Sequence, residues 1–232
     1  MISSRSWLFQ SGPTAGSVVV DPMSVRAAAL ATYVGDDRYL GVCETLLRAA
    51  IDESAATKEE FWPWSVINFI DTRLRSVDRS LMPWFPSFAF AATLLCNSEH
   101  IAICWAGDFQ FYLFREGRVT AISGRHEHGV DANGVSIDME VRELSEELGI
   151  SSRWVGVDGV PSEQLIWPVV PPYTVVLVSS RTPWSNQQSI EAALTTNNVT
   201  QLGGLISDVG GLLLGIDVEL KADEGYAKGT LT

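Results

Sequence analysis

Residues 90–122 read FAATLLCNSEHIAICWAGDFQFYLFREGRVTAI, and this stretch decides the fold. Three apolar runs, Phe90–Cys96, Ile101–Ala106 and Phe109–Phe114, follow one another closely. Each has the length of a strand and is rich in β-branched, aromatic or small apolar side chains. Asn97-Ser98-Glu99-His100 reads as a turn, Gly107-Asp108 as a turn or bulge, and Glu116-Gly117 as a turn before a fourth strand, Arg118–Ile122. The runs are apolar almost without alternation, so the predicted meander is covered on both faces.

Upstream, Trp7–Gln10 and Ser17–Val20 read as strands separated by Ser11-Gly12-Pro13, and Ala27–Val34 is a third apolar run. Asp36-Asp37 opens a helix, where acidic side chains complement the dipole, and Leu40, Cys43, Leu47, Ala50 and Ile51 carry it to about Ala55. Pro63 restarts the chain. Ile67, Ile70, Leu74, Val77 and Leu81 then fall on one helical stripe, closed by Pro83 and Pro86. Downstream, a polar loop over 123–134 leads to a helix over 137–148, with an acidic outer face and Gly149 as its cap. Residues 151–172, with four prolines, read as irregular. Tyr173–Ser179 is a buried strand. Ser185 with Gln188 fits a capping box for a helix through Leu194. A further helix is predicted over 198–209, and Leu212–Leu220 is the last strand. There is no repeat or linker, so 1–232 reads as a single domain. The expected fold is α+β, a four-layer α-β-β-α sandwich of two mainly antiparallel sheets flanked by helices.

The totals exclude several classes of function. With 28 acidic and 16 basic residues the net charge is −12, which argues against nucleic acid or an anionic membrane as partner. No apolar run reaches the roughly 20 residues of a membrane helix, and the N-terminus has no apolar leader segment. Cys43, Cys96 and Cys104 sit in apolar patterns without a pairing framework, so they read as buried thiols of a reducing, cytoplasmic compartment. The P-loop, GxGxxG, GxSxG and HExxH patterns are absent. His126-Glu127-His128 would put two imidazoles on one face, with no third ligand close by.

The central stretch resembles the metal-dependent protein phosphatases of the 2C family. The resemblance rests on Ala92-Thr93, on Gly107-Asp108-Phe109-Gln110, on Tyr112, Arg115 and Gly117, and on VVLVSSRTPW followed by a short helix. It threads through the whole chain by order and spacing, and implies the four-layer fold. In that family aspartates hold two divalent cations that activate a water, because hard cations need oxygen ligands. Asp21 and Asp108 lie where family aspartates belong, and Asp36 or Asp37 meets the family's Asp-Gly. Elsewhere the pattern is broken. The Asp of the Ser-Asp-Gly segment is Ser180, the C-terminal Asp-Asn falls on Gly210-Gly211, and the phosphate-binding Arg falls near Gly16.

A second motif competes. Arg142-Glu143-Leu144-Ser145-Glu146-Glu147-Leu148-Gly149-Ile150 matches the second half of the Nudix box, whose glutamates (here Glu143, Glu146 and Glu147) would share a helix face and hold Mg²⁺. The leading Glu of that box is Gly134 here, and residues 1–88 are left unexplained.

Three functions are therefore expected in order. The first is a catalytically impaired, 2C-phosphatase-like regulatory module without a cofactor, binding a protein partner such as a phosphoprotein, a kinase or a related complex. The second is a divergent Mg- or Mn-dependent phosphoserine/phosphothreonine phosphatase using Asp21, Asp36 and Asp108. The third is a Nudix-like hydrolase of nucleoside diphosphate derivatives. The aromatic pairs Trp62/Trp64 and Trp84/Phe85 are candidate interface residues.

Overall fold

The computed structural model describes residues 2–11, 14–21, 23–31, 37–77, 89–107, 109–123, 155–156, 163–180, 187–196, 198, 200, 203–204 and 211–220. Ten strands form two five-stranded sheets. The first has the order β1 (Ile2–Ser11), β10 (Gly211–Leu220), β9 (Tyr173–Ser180), β6 (Phe109–Arg115), β7 (Arg118–Ala121). The second has the order β2 (Thr14–Val20), β3 (Ser24–Ala31), β4 (Phe90–Asn97), β5 (His100–Ala106), β8 (Glu163–Pro168). Every pairing is antiparallel. Helices α1 (Asp37–Glu53) and α2 (Trp62–Ser76) cover the second sheet, and α3 (Gln187–Thr195) covers the first. This is the expected four-layer sandwich.

The stretch 90–122 is not one continuous meander. β4 and β5 form a hairpin in the second sheet, and β6 and β7 form a hairpin in the first. The chain changes sheets at Gly107, whose φ of 97° belongs to the region that glycine enters freely. A Cβ at this position would lie 1.7 Å from Cδ1 of Phe90, so the Phe90 ring fills the space that the glycine leaves. Coverage on both faces is as expected. Along β4, Phe90, Ala92, Leu94 and Cys96 face the inter-sheet core, while Ala91 and Leu95 face the helices. Thr93 joins the helical side, where its hydroxyl donates to the carbonyls of Pro63 (2.8 Å) and Cys104 (3.2 Å). That bond seats the first turn of α2 on the sheet.

Both long helices use the predicted stripes. Cys43, Leu47 and Ala50 of α1, and Trp62, Val66, Ile67, Ile70 and Leu74 of α2, are buried together. Pro63 lies in the first turn of α2, where its missing N–H costs nothing. The helix stops earlier than its stripe predicts: Val77 is already extended, and Leu81 lies outside the described residues. Trp62 is fully buried under Arg26, whose guanidinium lies 5.8 Å from the ring centroid. It is therefore core, and only Trp64 of that pair is exposed. The three cysteines are free and buried.

The segment 151–172 holds a strand that its prolines concealed. β8 pairs with β5 in register Ile101↔Trp167 and Ile103↔Leu165. It is an edge strand, so Pro168 at its end disturbs no inner ladder, and its half-polar sequence suits one covered face. At the opposite end of the segment's course, Val155 bridges Ala89. The predicted helix at 137–148, the Ser185 cap and most of 198–209 lie outside the described residues.

The inter-sheet core is apolar, and directional bonds among the described residues cross it. Thr14 Oγ1 donates to the carbonyl of Gly211 (3.1 Å), joining β2 to β10. Tyr173 Oη donates to the carbonyl of Asn97 (2.8 Å), joining β9 to β4. Leu177 lies between them, fully buried. Leu177→Ala is expected to lower the unfolding free energy by about 2–5 kcal/mol, read from denaturant melts. Ile166→Ala, on the half-exposed edge strand, is expected to cost under about 1 kcal/mol.

Candidate functional site

Strand register defines the two ends of the sandwich. At one end Thr14 pairs with Ala31, Ala31 with Phe90, Ala91 with Ala106, Phe109 with Ser179, and Ser180 with Gly211. This end contains the sheet change at Gly107, and it gathers the chain segments around which the 2C resemblance is built. β9 ends at Ser180 beside the start of β6, and β10 begins at Gly211 opposite Ser180. Asp36, Asp108 and Gly210 lie outside the described residues, as do the side chains of Asp37 and Ser180.

What is described here is hydrophobic. Ala31, Phe90, Phe109 and Leu212 are all buried in the inter-sheet core. The one buried hydroxyl on the β2 edge, Thr14, is already bonded to Gly211. A pair of divalent cations needs several carboxylates, both as ligands and to offset the ions' charge. The described part of this end supplies none. Among the described residues no group of three or more His, Cys, Asp or Glu could hold a metal ion. Gly16, near which the family's arginine falls, lies close against the Leu8 and Leu212 side chains. A Cβ there would lie 3.0 Å from Cδ1 of both Leu212 and Leu8.

Asp21 is not at this end. It sits in the β2–β3 turn, next to the Ser24↔Asn97 pair at the opposite end of the strands. Its carboxylate accepts from the backbone N–H groups of Met23 (2.9 Å) and Ser24 (2.8 Å) and from Ser24 Oγ (2.9 Å). Arg26 Nε lies 3.9 Å away. An Asp that closes a tight turn by bonding its own following amides is occupied structurally. Burial alone would raise its pKa, but the Met23 and Ser24 bonds and the Arg26 charge outweigh it, and the carboxyl is held below its usual range.

Other residues that carry the resemblance are also structural. The Thr93 hydroxyl is spent on Pro63 and Cys104. Tyr112 packs against α3, and burial pushes its hydroxyl up to about 12. Arg115 and Gly117 flank and form the β6–β7 turn at the far end. No sequence pattern marks the role of Phe90. It reads as the first residue of a strand, and only the three-dimensional packing brings its ring against Gly107. His126 and His128, like Glu143, Glu146 and Glu147, lie outside the described residues.

No family model matches the sequence, and no curated protein is similar to it at the sequence level. Solved structures do match the fold. A bacterial serine phosphatase aligns with a TM-score of 0.71 at 14% identity, over 96% of this chain and 100% of that one. The catalytic domain of the serine/threonine phosphatase PstP, solved with two manganese ions, aligns with a TM-score of 0.64 at 14% identity, over 94% and 99%. PppA, a regulatory component of the type VI secretion system in Pseudomonas aeruginosa, aligns with a TM-score of 0.61 at 16% identity, over 94% and 97%. The chain has the 2C-phosphatase fold. The Nudix alternative finds no support in these matches.

The position of Asp21 generates a pH test. A carboxyl with a lowered folded pKa stabilises the native state above its unfolded value, and that contribution is lost as pH falls through the folded value. Asp21→Ala is therefore expected to destabilise at neutral pH. Its side chain is 37% exposed and solvent-screened, so the loss should be about 1 kcal/mol or less. The gap between variant and parent melts should close below about pH 4. A pH-independent gap would show that the charge is irrelevant to the turn.

Proposed function

We propose that this chain is a catalytically impaired, 2C-phosphatase-like protein that works as a binding or regulatory module in the cytoplasm of a bacterium, as one domain spanning 1–232. The observation that carries the reading is that the described part of the sandwich end at Gly107 is apolar, with Phe90, Phe109, Ala31 and Leu212 buried there and no carboxylate among the described side chains. The replacement of family aspartates by Ser180 and Gly210 points the same way. A scaffold that keeps its shape without its ligands retains a surface that can engage a phosphoprotein, a kinase or a related complex, or compete with an active phosphatase for one. PppA, with the same fold, is itself described as a regulatory component. Among the described residues no helix is long and apolar enough to cross a membrane.

A second reading, a divergent metallophosphatase, is favoured by one feature, the Gly107-Asp108 sequence at the sheet change. Here Asp36 and Asp108 would have to hold Mn²⁺ or Mg²⁺, as manganese is held in PstP. Asp21 drops out of that ligand set because it lies at the far end.

The two readings separate in one assay. With saturating Mn²⁺ or Mg²⁺ the protein is expected to turn over p-nitrophenyl phosphate no faster than buffer, and calorimetry is expected to register no Mn²⁺ binding. Metal-dependent turnover that disappears in Asp108→Ala would establish the second reading instead.

A further inference from the structure

A cleft of about 520 Å³ opens on the outer face of the first sheet, at the end remote from Gly107. Its floor is one cross-strand row: Arg5 pairs with Asp217, Asp217 with Thr174, and Thr174 with Phe114. The neighbouring row, Tyr112, Val176 and Gly215, continues into the apolar patch under α3. Trp7 lies flat on the sheet at Gly215, where a Cβ would come within 2.0 Å of its ring. The polar row thus lies where the apolar face gives way to a polar end, beside the Trp7 and Phe114 rings, with Ala193 and Leu194 of α3 on the cleft's wall.

The charges in the row do not cancel. Arg115 is paired with Glu116 (3.3 Å). Thr174 Oγ1 donates to one oxygen of Asp217 (2.8 Å), and no other described side chain pairs with that carboxylate. Glu219 is exposed beside it, across from Ser3. Arg5 is exposed and makes no ion pair with a described residue. Two carboxylates against one guanidinium leave the cleft negative, on a chain of net charge −12. Aromatic faces flanking paired carboxylates suit a cation. The rings attract it through their quadrupoles, and the carboxylates accept its N–H groups. A planar guanidinium fits better than an ammonium, because it can stack on Trp7 and fork onto a carboxylate at once.

We propose that this cleft is a docking site for an arginine side chain presented by a basic segment of a partner protein. The charge complementarity selects that occupant over an acidic or phosphorylated one. The site does not depend on whether the Gly107 end is catalytically active.

The test uses the full chain, ¹⁵N-labelled, titrated with an acetylated and amidated tripeptide bearing a central arginine. Saturable shifts of the Trp7 indole and of the Thr174 and Glu219 amides are expected. The same peptide with a central glutamate should leave them unmoved. Asp217→Asn with Glu219→Gln should weaken binding at least about tenfold, while Arg5→Ala should not weaken it. Should the double variant fail to fold, Glu219→Gln alone, at an exposed position, decides the same point by weakening binding or leaving it unchanged. Three results would each overturn the proposal: no shift at these three residues, equal binding of the glutamate peptide, or shifts produced by inorganic phosphate and abolished by Arg5→Ala.

Discussion

The contact between the Phe90 ring and Gly107 is the constraint on which the rest of the sandwich depends. A chain passing from one sheet to the sheet stacked against it must turn sharply inside a close-packed interior. It does so at the one residue type that accepts φ of 97° and leaves room for an aromatic ring. Because the change of sheet occurs there, β5 and β6 belong to different layers although they are separated by only Gly107 and Asp108. Once they are placed, β4 and β9 follow by pairing, and the helices follow by the apolar faces that those strands leave outward.

The price of a dinuclear metal centre in such a fold is a set of like-charged carboxylates held close together, which repel one another until cations arrive. The described side chains at the Gly107 end, Phe90, Phe109, Ala31 and Leu212, gain hydrophobic burial.

Much of the architecture was legible in the sequence, for physical reasons that differ by element. Strands buried on both faces declare themselves by unbroken hydrophobicity, as β4, β5 and β9 do. The α1 and α2 stripes declare themselves by period. β8 did not, because an edge strand with one covered face carries only half the signal and ends in proline. Trp62 misled for a related reason: an aromatic in a helix's first turn looks the same in sequence whether it points to solvent or to the sheet. The site was less legible than the fold. Asp21 has the residue type and chain order of a ligand, but register puts it a full strand length from Gly107, and register is a property of pairs of strands. The Arg5–Asp217–Thr174–Phe114 row was invisible for the same reason, since its members come from four separate strands.

The two hydrogen bonds that cross between the sheets, Thr14 to Gly211 and Tyr173 to Asn97, act on a different mode of motion from the apolar core around them. Hydrophobic contact resists pulling the layers apart but is nearly indifferent to their sliding, because it has no preferred direction. A directional bond at each end opposes shear and rotation of one sheet over the other, and Tyr173 does so with a hydroxyl whose ionisation burial strongly suppresses. The layers are therefore clamped at two separated points by groups of the chain itself.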